Sequence, residues 1–385
     1  MASQPITIIG AGIAGLTLSR TLLNHGIKSI IFEKAPSKPR HEYGITLYSY
    51  AYKPLLKVLG LDEESFMQKV AVDGGVGGRG CGRIDGGKIV KQGGGWEEGL
   101  RVNRAKLERI LEEGLDVRWD CGVEGVGRDG SGDPNTVHLK NGDTMTSNII
   151  IGLDGVHSQT RKSLLPTLEP TVLPFVALNG KRRVPKAVFE QVYSPHMKES
   201  NIVEMKVKDT ILHISINDIS NEQTSISWNY SRPSHILGDI LYKPNRPQAG
   251  ASEMPEEFFT GVPDLGELPQ PFAEVFDVEK LRMERILHWL MRTVVPGPDH
   301  FEQLQALGER GIFFLGDAIH AQQIIGGWGA DEAIVDAIGF ADAYVEGGVD
   351  GVRKWYEESF GRWKDGVERS ERNIGEMHGE KGALL

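Results

Sequence analysis

Three glycines stand as Gly10-x-Gly12-x-x-Gly15 between an apolar run, Ile6–Ile9, and a stretch that carries Leu16, Leu18, Leu22 and Leu23 at helical spacing. In such a place each glycine serves a different need. Gly10 allows a tight turn, Gly12 lets the backbone approach a pyrophosphate, and Gly15 lets helix pack closely on strand. The amides that open the helix then face the phosphates, aided by the positive end of the helix dipole. Glu33 closes the next apolar run and has the position of an acid that accepts ribose hydroxyls. A glycine-rich turn without a ligand would use the same letters. Strand, helix, spacing and Glu33 together favour a dinucleotide, with FAD and NAD(P) both open on these residues alone.

Little else in the sequence can carry redox or hydrolytic chemistry. Cys81 and Cys121 form neither a disulfide framework nor a metal-ligand spacing, and no Gly-x-Ser-x-Gly elbow occurs. No second Gly-x-Gly-x-x-Gly stands between a strand and a helix to hold a nicotinamide cofactor. Redox work therefore falls to the bound dinucleotide. The 43 basic against 53 acidic residues give a formal charge of −10, which argues against nucleic acid as a partner. No stretch approaches the ~18 apolar residues of a membrane helix. With no basic leader before Ile6–Ile9, the expected location is cytoplasmic.

The elements that must position these residues follow from periodicity and turn chemistry. Ile6–Ile9, a helix closed by Gly26, and a strand ending at Glu33 make a βαβ opening. The 48 glycines among 385 residues, about 12% against a usual ~7%, imply many tight turns. Short alternating segments with turns at Asp129-Gly130 and Asn141-Gly142 predict a β meander. Alternation in 211–216 and 225–230 predicts half-buried strands, and 312–315 a buried one. The expected fold is α/β: a Rossmann-like domain with a parallel sheet and a β meander, interleaved with a smaller β-rich domain, and C-terminal helices. The nucleotide-binding domain takes 1–75, 96–170 and 296–336. The second domain takes an excursion at 76–95 and the segment 171–295, and the helices take 337–385.

Two further segments resolve the dinucleotide by resemblance. Gly152-Leu153-Asp154-Gly155-Val156-His157-Ser158-Gln159-Thr160-Arg161 resembles the Asp-Gly signature of flavoprotein aromatic hydroxylases. Gly316-Asp317-Ala318-Ile319-His320, followed by Gly327-Trp328-Gly329-Ala330, resembles their Gly-Asp signature. With the glycine fingerprint, three motifs stand in order over nearly the whole chain. The family is the single-component FAD-dependent monooxygenases of the para-hydroxybenzoate hydroxylase fold, and Tyr43-Gly44-Ile45-Thr46-Leu47-Tyr48 is most similar to its fungal secondary-metabolism branch.

The resemblance implies FAD as resident cofactor and NAD(P)H as a transient co-substrate. It implies O2 inserted through a C4a-hydroperoxyflavin into an electron-rich aromatic or polyunsaturated small molecule, by hydroxylation or epoxidation. By the same likeness Gly10, Gly12, Gly15, Glu33, Gly44, Arg104, Asp154, Asp317, Gly329 and Ala330 are cofactor-side residues. Asp317 would accept hydrogen bonds from the ribityl chain, or cap a helix. Gly329 and Ala330 would turn main-chain amides toward the flavin. Arg104 and Arg40 offer guanidinium donors, with surface salt bridges as their alternative use. Asp154 and Arg161 are expected to form an internal ion pair, and His157 and His320 to order loops.

Arg182 and Arg183 stand where fungal relatives often place an active-site arginine, against the alternative of a solvated basic turn. His213, Trp228 and Tyr230 can line the pocket or pack the sheet. No metal is expected. The chain departs from the family at Ile324, where proline is usual, at Asp331, where asparagine is usual, and at Gln322, Gln323 and Trp328. Those departures keep open an FAD-dependent oxidase or cyclase that does not need NAD(P)H, or a flavin-binding protein without turnover.

Overall fold

The structure, a computed structural model, describes residues 4–37, 41–74, 82–85, 88–91, 99–127, 134–197, 200–235 and 238–379. Five parallel strands form one sheet in the order Ile312–Phe314, Ile150–Gly152, Ile6–Ile9, Ser29–Phe32, Asp116–Arg118. The inner strands read as continuous apolar runs because both sheet faces are covered. Ile6, Ile8, Ile9, Ile31, Ile150, Ile151 and Phe314 are all buried.

Register is what makes this sheet useful. Ile9 pairs with Phe32 on one side and Gly152 on the other, and Gly152 pairs with Phe314. Four strands therefore end level, and the residues that follow them (Gly10, Glu33, Asp154 and Gly316-Asp317) emerge along one edge. Ligands of open α/β sheets bind at that carboxyl edge.

The second sheet has seven strands. Its middle consists of three long antiparallel strands, Phe175–Pro185, Gln223–Pro233 and Thr210–Ile219, and Gly82–Asp85 with Lys88–Lys91 join its far edge. Alternation gives this sheet two unlike faces. One bears Val176, Leu178, Ile214, Ile216, Ile226 and Trp228, packed against Phe258, Phe272 and Phe276 from the connection that follows. The other bears Asn179, His213, Ser215, Asn217, Ser227 and Asn229, and approaches the antiparallel pair Gly44–Leu47 and Leu100–Asn103. Arg101 joins the two domains there, donating to Thr46 Oγ1 at 3.2 Å and Ser215 Oγ at 3.1 Å.

The predicted meander is present as three antiparallel strands, Val123–Gly127, Asn135–Leu139 and Thr144–Ser147. The C-terminal segment Gly329–His378 is helical but reverses at Gly348, whose φ of 59° and ψ of −143° break the ladder. Its returning half packs into the core: Tyr356, Trp363, Val367 and Ile374 are buried, and Ile374 sits in a small core with Phe175, Ala177 and Met291. Among the described residues no helix is long and apolar enough to cross a membrane, and no cluster of side chains could hold a metal ion.

Candidate functional site

The glycine loop is fixed by close backbone approaches. Gly10 has φ 113°, and a Cβ on it would lie 2.3 Å from Leu153 O. A Cβ on Gly15 would lie 2.0 Å from Gly10 O, which is how tightly the first helix meets its strand. The space in front of Gly12 is open by contrast, with only Arg104 Nη2 at 3.9 Å. The helix Ile13–Asn24 starts without a side-chain cap, so its first amides point at that space unused. Glu33 is buried, and its carboxylate accepts from Ala11 N and Ala35 N at 2.9 Å each. It braces the loop from within.

Asp317 stands across the same cleft. Gly316 brings the first turns of two helices together, a Cβ on it lying 3.6 Å from Ala14 and 3.7 Å from Ala333. The Asp317 side chain is open to the cleft, yet the surrounding protein desolvates it and raises its carboxyl above the usual range, with His320 and Arg104 pulling it back. Its Oδ1 is 3.4 Å from where a Cβ on Gly329 would stand. The helix that begins at Gly329 also lacks a side-chain cap. Arg104 is held beside the cleft by Glu108 at 2.8 Å and by Tyr43 Oη at 2.6 Å. Two uncapped helix starts, a guanidinium and an accessible carboxyl thus face one trough, and a dinucleotide with its pyrophosphate fits these donors and acceptors.

The unusual residues after His320 tether the loop they sit on. Gln322 Oε1 accepts from Trp328 N at 2.6 Å, and Ser370 Oγ donates to Gln323 Oε1 at 2.7 Å. Arg369 covers the Trp328 ring at 4.7 Å. Ile324 projects from this loop, 56% exposed. His320 stacks on Trp363 at 4.8 Å and meets the buried Asp336 carboxylate, which also takes Arg362 at 2.6 Å.

Asp331 is buried inside the protein, 1% exposed, and accepts the Tyr48 amide at 2.7 Å. Burial, with Glu332 beside it, pushes its carboxyl up to about 7. An acid whose folded value is raised stabilises the fold below the unfolded value and loses that contribution as pH climbs to the folded one. Asp331→Asn keeps an oxygen for Tyr48 N and removes the ionisation. The variant is expected to match the wild type in thermal melts near pH 3 and to exceed it by on the order of 4 kcal/mol at pH 8. An equal pH dependence of the two proteins would contradict the assignment.

Several expected residues take other roles. Asp154 and Arg161 form no direct ion pair. The Asp154 carboxylate caps the helix Gln159–Leu164, accepting from Ser158 Oγ, from Gln159 N at 2.8 Å and from Thr160 N at 3.1 Å. Arg161 is fully buried and donates to Leu168 O at 3.1 Å, Ala318 O at 2.6 Å and Val156 O at 2.7 Å.

Arg182 shares the apolar face of its strand with Leu178 and Val184. It is bound there by Glu284, by Glu274 at 2.8 Å and by Val275 O at 2.9 Å, so its guanidinium serves packing. Arg183 is exposed on the opposite face and has no side-chain partner among the described residues. The Gly44 amide donates to Asn217 Oδ1 at 2.9 Å, within the domain junction. Ala330 lies half-buried just past Gly329. Arg40 and Cys81 lie outside the described residues.

Two features of the cleft have no local signature in the sequence. Asn179, Asn229 and His213 form a polar row on the sheet face turned toward the first domain. Lys34, Lys162 and Arg292 gather around the exposed His157, whose pKa falls through desolvation and then through these cations. Arg292 has no side-chain partner among the described residues, although Arg246 lies near enough, after burial, to lower its pKa further.

Comparison with known proteins agrees with this geometry. Residues 3–293 match the family described as FAD binding domain. The chain is 32% identical to the FAD-dependent monooxygenase nscC of Arthroderma benhamiae, over 97% of this chain and 95% of that one. It is 31% identical to the FAD-dependent monooxygenase aptC of Emericella nidulans, again over 97% and 95%. Among solved structures, Klebsiella pneumoniae HpxO complexed with FAD and uric acid superposes with a TM-score of 0.70 at 17% identity, covering 98% of this chain and 90% of that one. A putative FAD containing monooxygenase from Photorhabdus luminescens superposes with a TM-score of 0.70 at 20% identity, covering 98% of each. These two share the fold.

Proposed function

This chain belongs to the FAD binding domain family and is an FAD-dependent monooxygenase, and from that premise we propose that it draws electrons from NAD(P)H and places one atom of O2 on an electron-rich aromatic or alkene small molecule. The convergence of the two uncapped helix starts, Arg104 and Asp317 on one trough carries the reading. FAD, when bound, supplies two-electron exchange and oxygen activation. The remaining work belongs to the chain. Amides at the start of Ile13–Asn24 hold the pyrophosphate, and Arg104 adds a charged donor. Asp317 accepts from the ribityl hydroxyls. Amides at Gly329 and Ala330 would stabilise negative charge on the flavin ring. The polar face of the large sheet roofs the substrate. The fungal origin of the two curated relatives sets this reading in fungal small-molecule metabolism.

The cations around His157 support the nicotinamide part of this reading. On a chain of formal charge −10, Arg292, which has no side-chain partner among the described residues, offers with Lys34 and Lys162 a place for an anion such as a dinucleotide phosphate to dock and leave. Arg292→Ala is expected to raise KM for NAD(P)H about tenfold, as loss of one charge-assisted hydrogen bond does. FAD content and kcat are expected to stay within about twofold. Steady-state NAD(P)H oxidation coupled to O2 uptake is the measurement. An unchanged KM would move the docking site elsewhere, and absence of NAD(P)H-driven O2 uptake by the wild type, across hydroxylated aromatics, would count against the whole reading.

A further inference from the structure

The register of the large sheet aligns Asn179, Asn229 and His213 across three neighbouring strands, on the face opposite Trp228 and Ile214. Asn179 Nδ2 donates to Asn229 Oδ1 at 2.9 Å, and Asn229 Nδ2 lies 3.1 Å from His213 Nδ1. Both asparagines are buried. Because the Asn229 oxygen already accepts, its nitrogen must donate, so His213 Nδ1 accepts and the imidazole proton sits on Nε2. Burial, with Arg101 nearby, holds the imidazole down at about 3, so it stays neutral across the working range. Nε2–H is then a single, neutral, oriented donor, and among the described residues it has no partner.

Along its own strand His213 is less buried than its neighbours on that face. Ile211 and Ser215, two residues away on the same face, are fully buried, while His213 is only partly so. The Thr210–Ile219 strand packs on Gly44–Leu47, on Leu100–Asn103 and on the long C-terminal helix, the elements that border the cofactor trough. A polar donor on a partly exposed residue of the sheet face that packs on the first domain stands at a domain interface, where ligand pockets favour forming. In such a desolvated place, a site built to hydrogen-bond one oxygen rejects the analogue that lacks it.

We propose that His213 Nε2–H is a specificity-determining donor for a keto or phenolate oxygen of a planar aromatic substrate, with Asn179 and Asn229 as positioning residues that fix its tautomer. The proposal rests on the monooxygenase reading for the presence of a substrate chamber. Its test needs no turnover, so the two can fail separately. FAD-loaded enzyme is titrated with 2-acetylnaphthalene and with 2-ethylnaphthalene, which differ in the carbonyl oxygen, and binding is read from the change in the oxidised flavin spectrum. Wild type is expected to prefer the ketone. His213→Phe keeps a ring but no donor, and is expected to weaken the ketone about tenfold while leaving the ethyl compound within about twofold. His213→Gln, which retains an N–H donor, is expected to recover part of the ketone preference. Equal loss for both compounds in both variants would show a packing role, and would overturn the proposal. So would an unchanged ketone affinity in His213→Phe, or no spectral response of the wild type to either compound.

Discussion

Gly15→Ala is expected to yield a protein that retains little or no FAD and melts many degrees below the wild type. A Cβ at that position would stand 2.0 Å from Gly10 O. Gly10 cannot give way, because it is itself held at φ 113° against Leu153 O. The helix Ile13–Asn24 must then lift from the sheet, which opens the core around Leu16, Leu18 and Ile8 and tilts the amides that face the pyrophosphate. Overpacking of this kind costs about 1–3 kcal/mol when neighbours can relax and more when backbone is the obstacle, so about 3–5 kcal/mol is expected here. The ratio of flavin to protein absorbance after purification, with a thermal melt, measures both effects. Wild-type flavin content in Gly15→Ala would contradict the close packing described for this loop.

Arg161→Met is expected to lose comparable stability by a different route. Val156, Leu168 and Ala318 each present a carbonyl to the Arg161 guanidinium, in a place that excludes water. Methionine fills much of the volume but leaves all three acceptors unmet, at about 1–3 kcal/mol each before relaxation. Arg161→Lys is expected to do little better, because one ammonium cannot reach carbonyls that a planar fork serves in three directions. Since Val156 belongs to the Asp-Gly loop and Ala318 to the Gly-Asp loop, both variants should also bind FAD more weakly. Denaturant unfolding with and without added FAD separates the two losses. A variant within about 1 kcal/mol of wild type would show that the carbonyls find other donors.

The cofactor half of the molecule was legible in the sequence because backbone geometry dictates its letters. Gly10 and Gly15 stand where no Cβ fits. Apolar runs such as Ile6–Ile9 and Ile312–Phe314 are what a strand buried on both faces requires. The substrate half was less legible because facing and partnership are set by distant residues. Which of Arg182 and Arg183 turned toward the cofactor depended on the register of Phe175–Pro185. Arg182 falls in step with Leu178 and Val184, and its partners Glu274 and Glu284 are far along the chain, beyond three further strands of the sheet.

The expected Asp154–Arg161 pair failed for a local reason. Asp154 has helix amides within reach, and these satisfy it before a guanidinium can. A cap signature was available there in Ser158 and the start of the helix that follows it. His213 was readable as a strand residue, whereas its tautomer and its outlook on the cleft required Asn229 and the docking of two domains.

The most direct measurement is the visible spectrum of FAD-loaded protein under anaerobic conditions, followed for hours after addition of NADPH or NADH, with and without hydroxylated aromatic compounds. The oxidised flavin band is expected to bleach with at least one of the two nucleotides, and faster when a suitable aromatic is present. A flavin that dithionite bleaches, and that neither nucleotide reduces under any of these conditions, would contradict the assignment of NAD(P)H as electron donor and with it the proposed monooxygenase cycle.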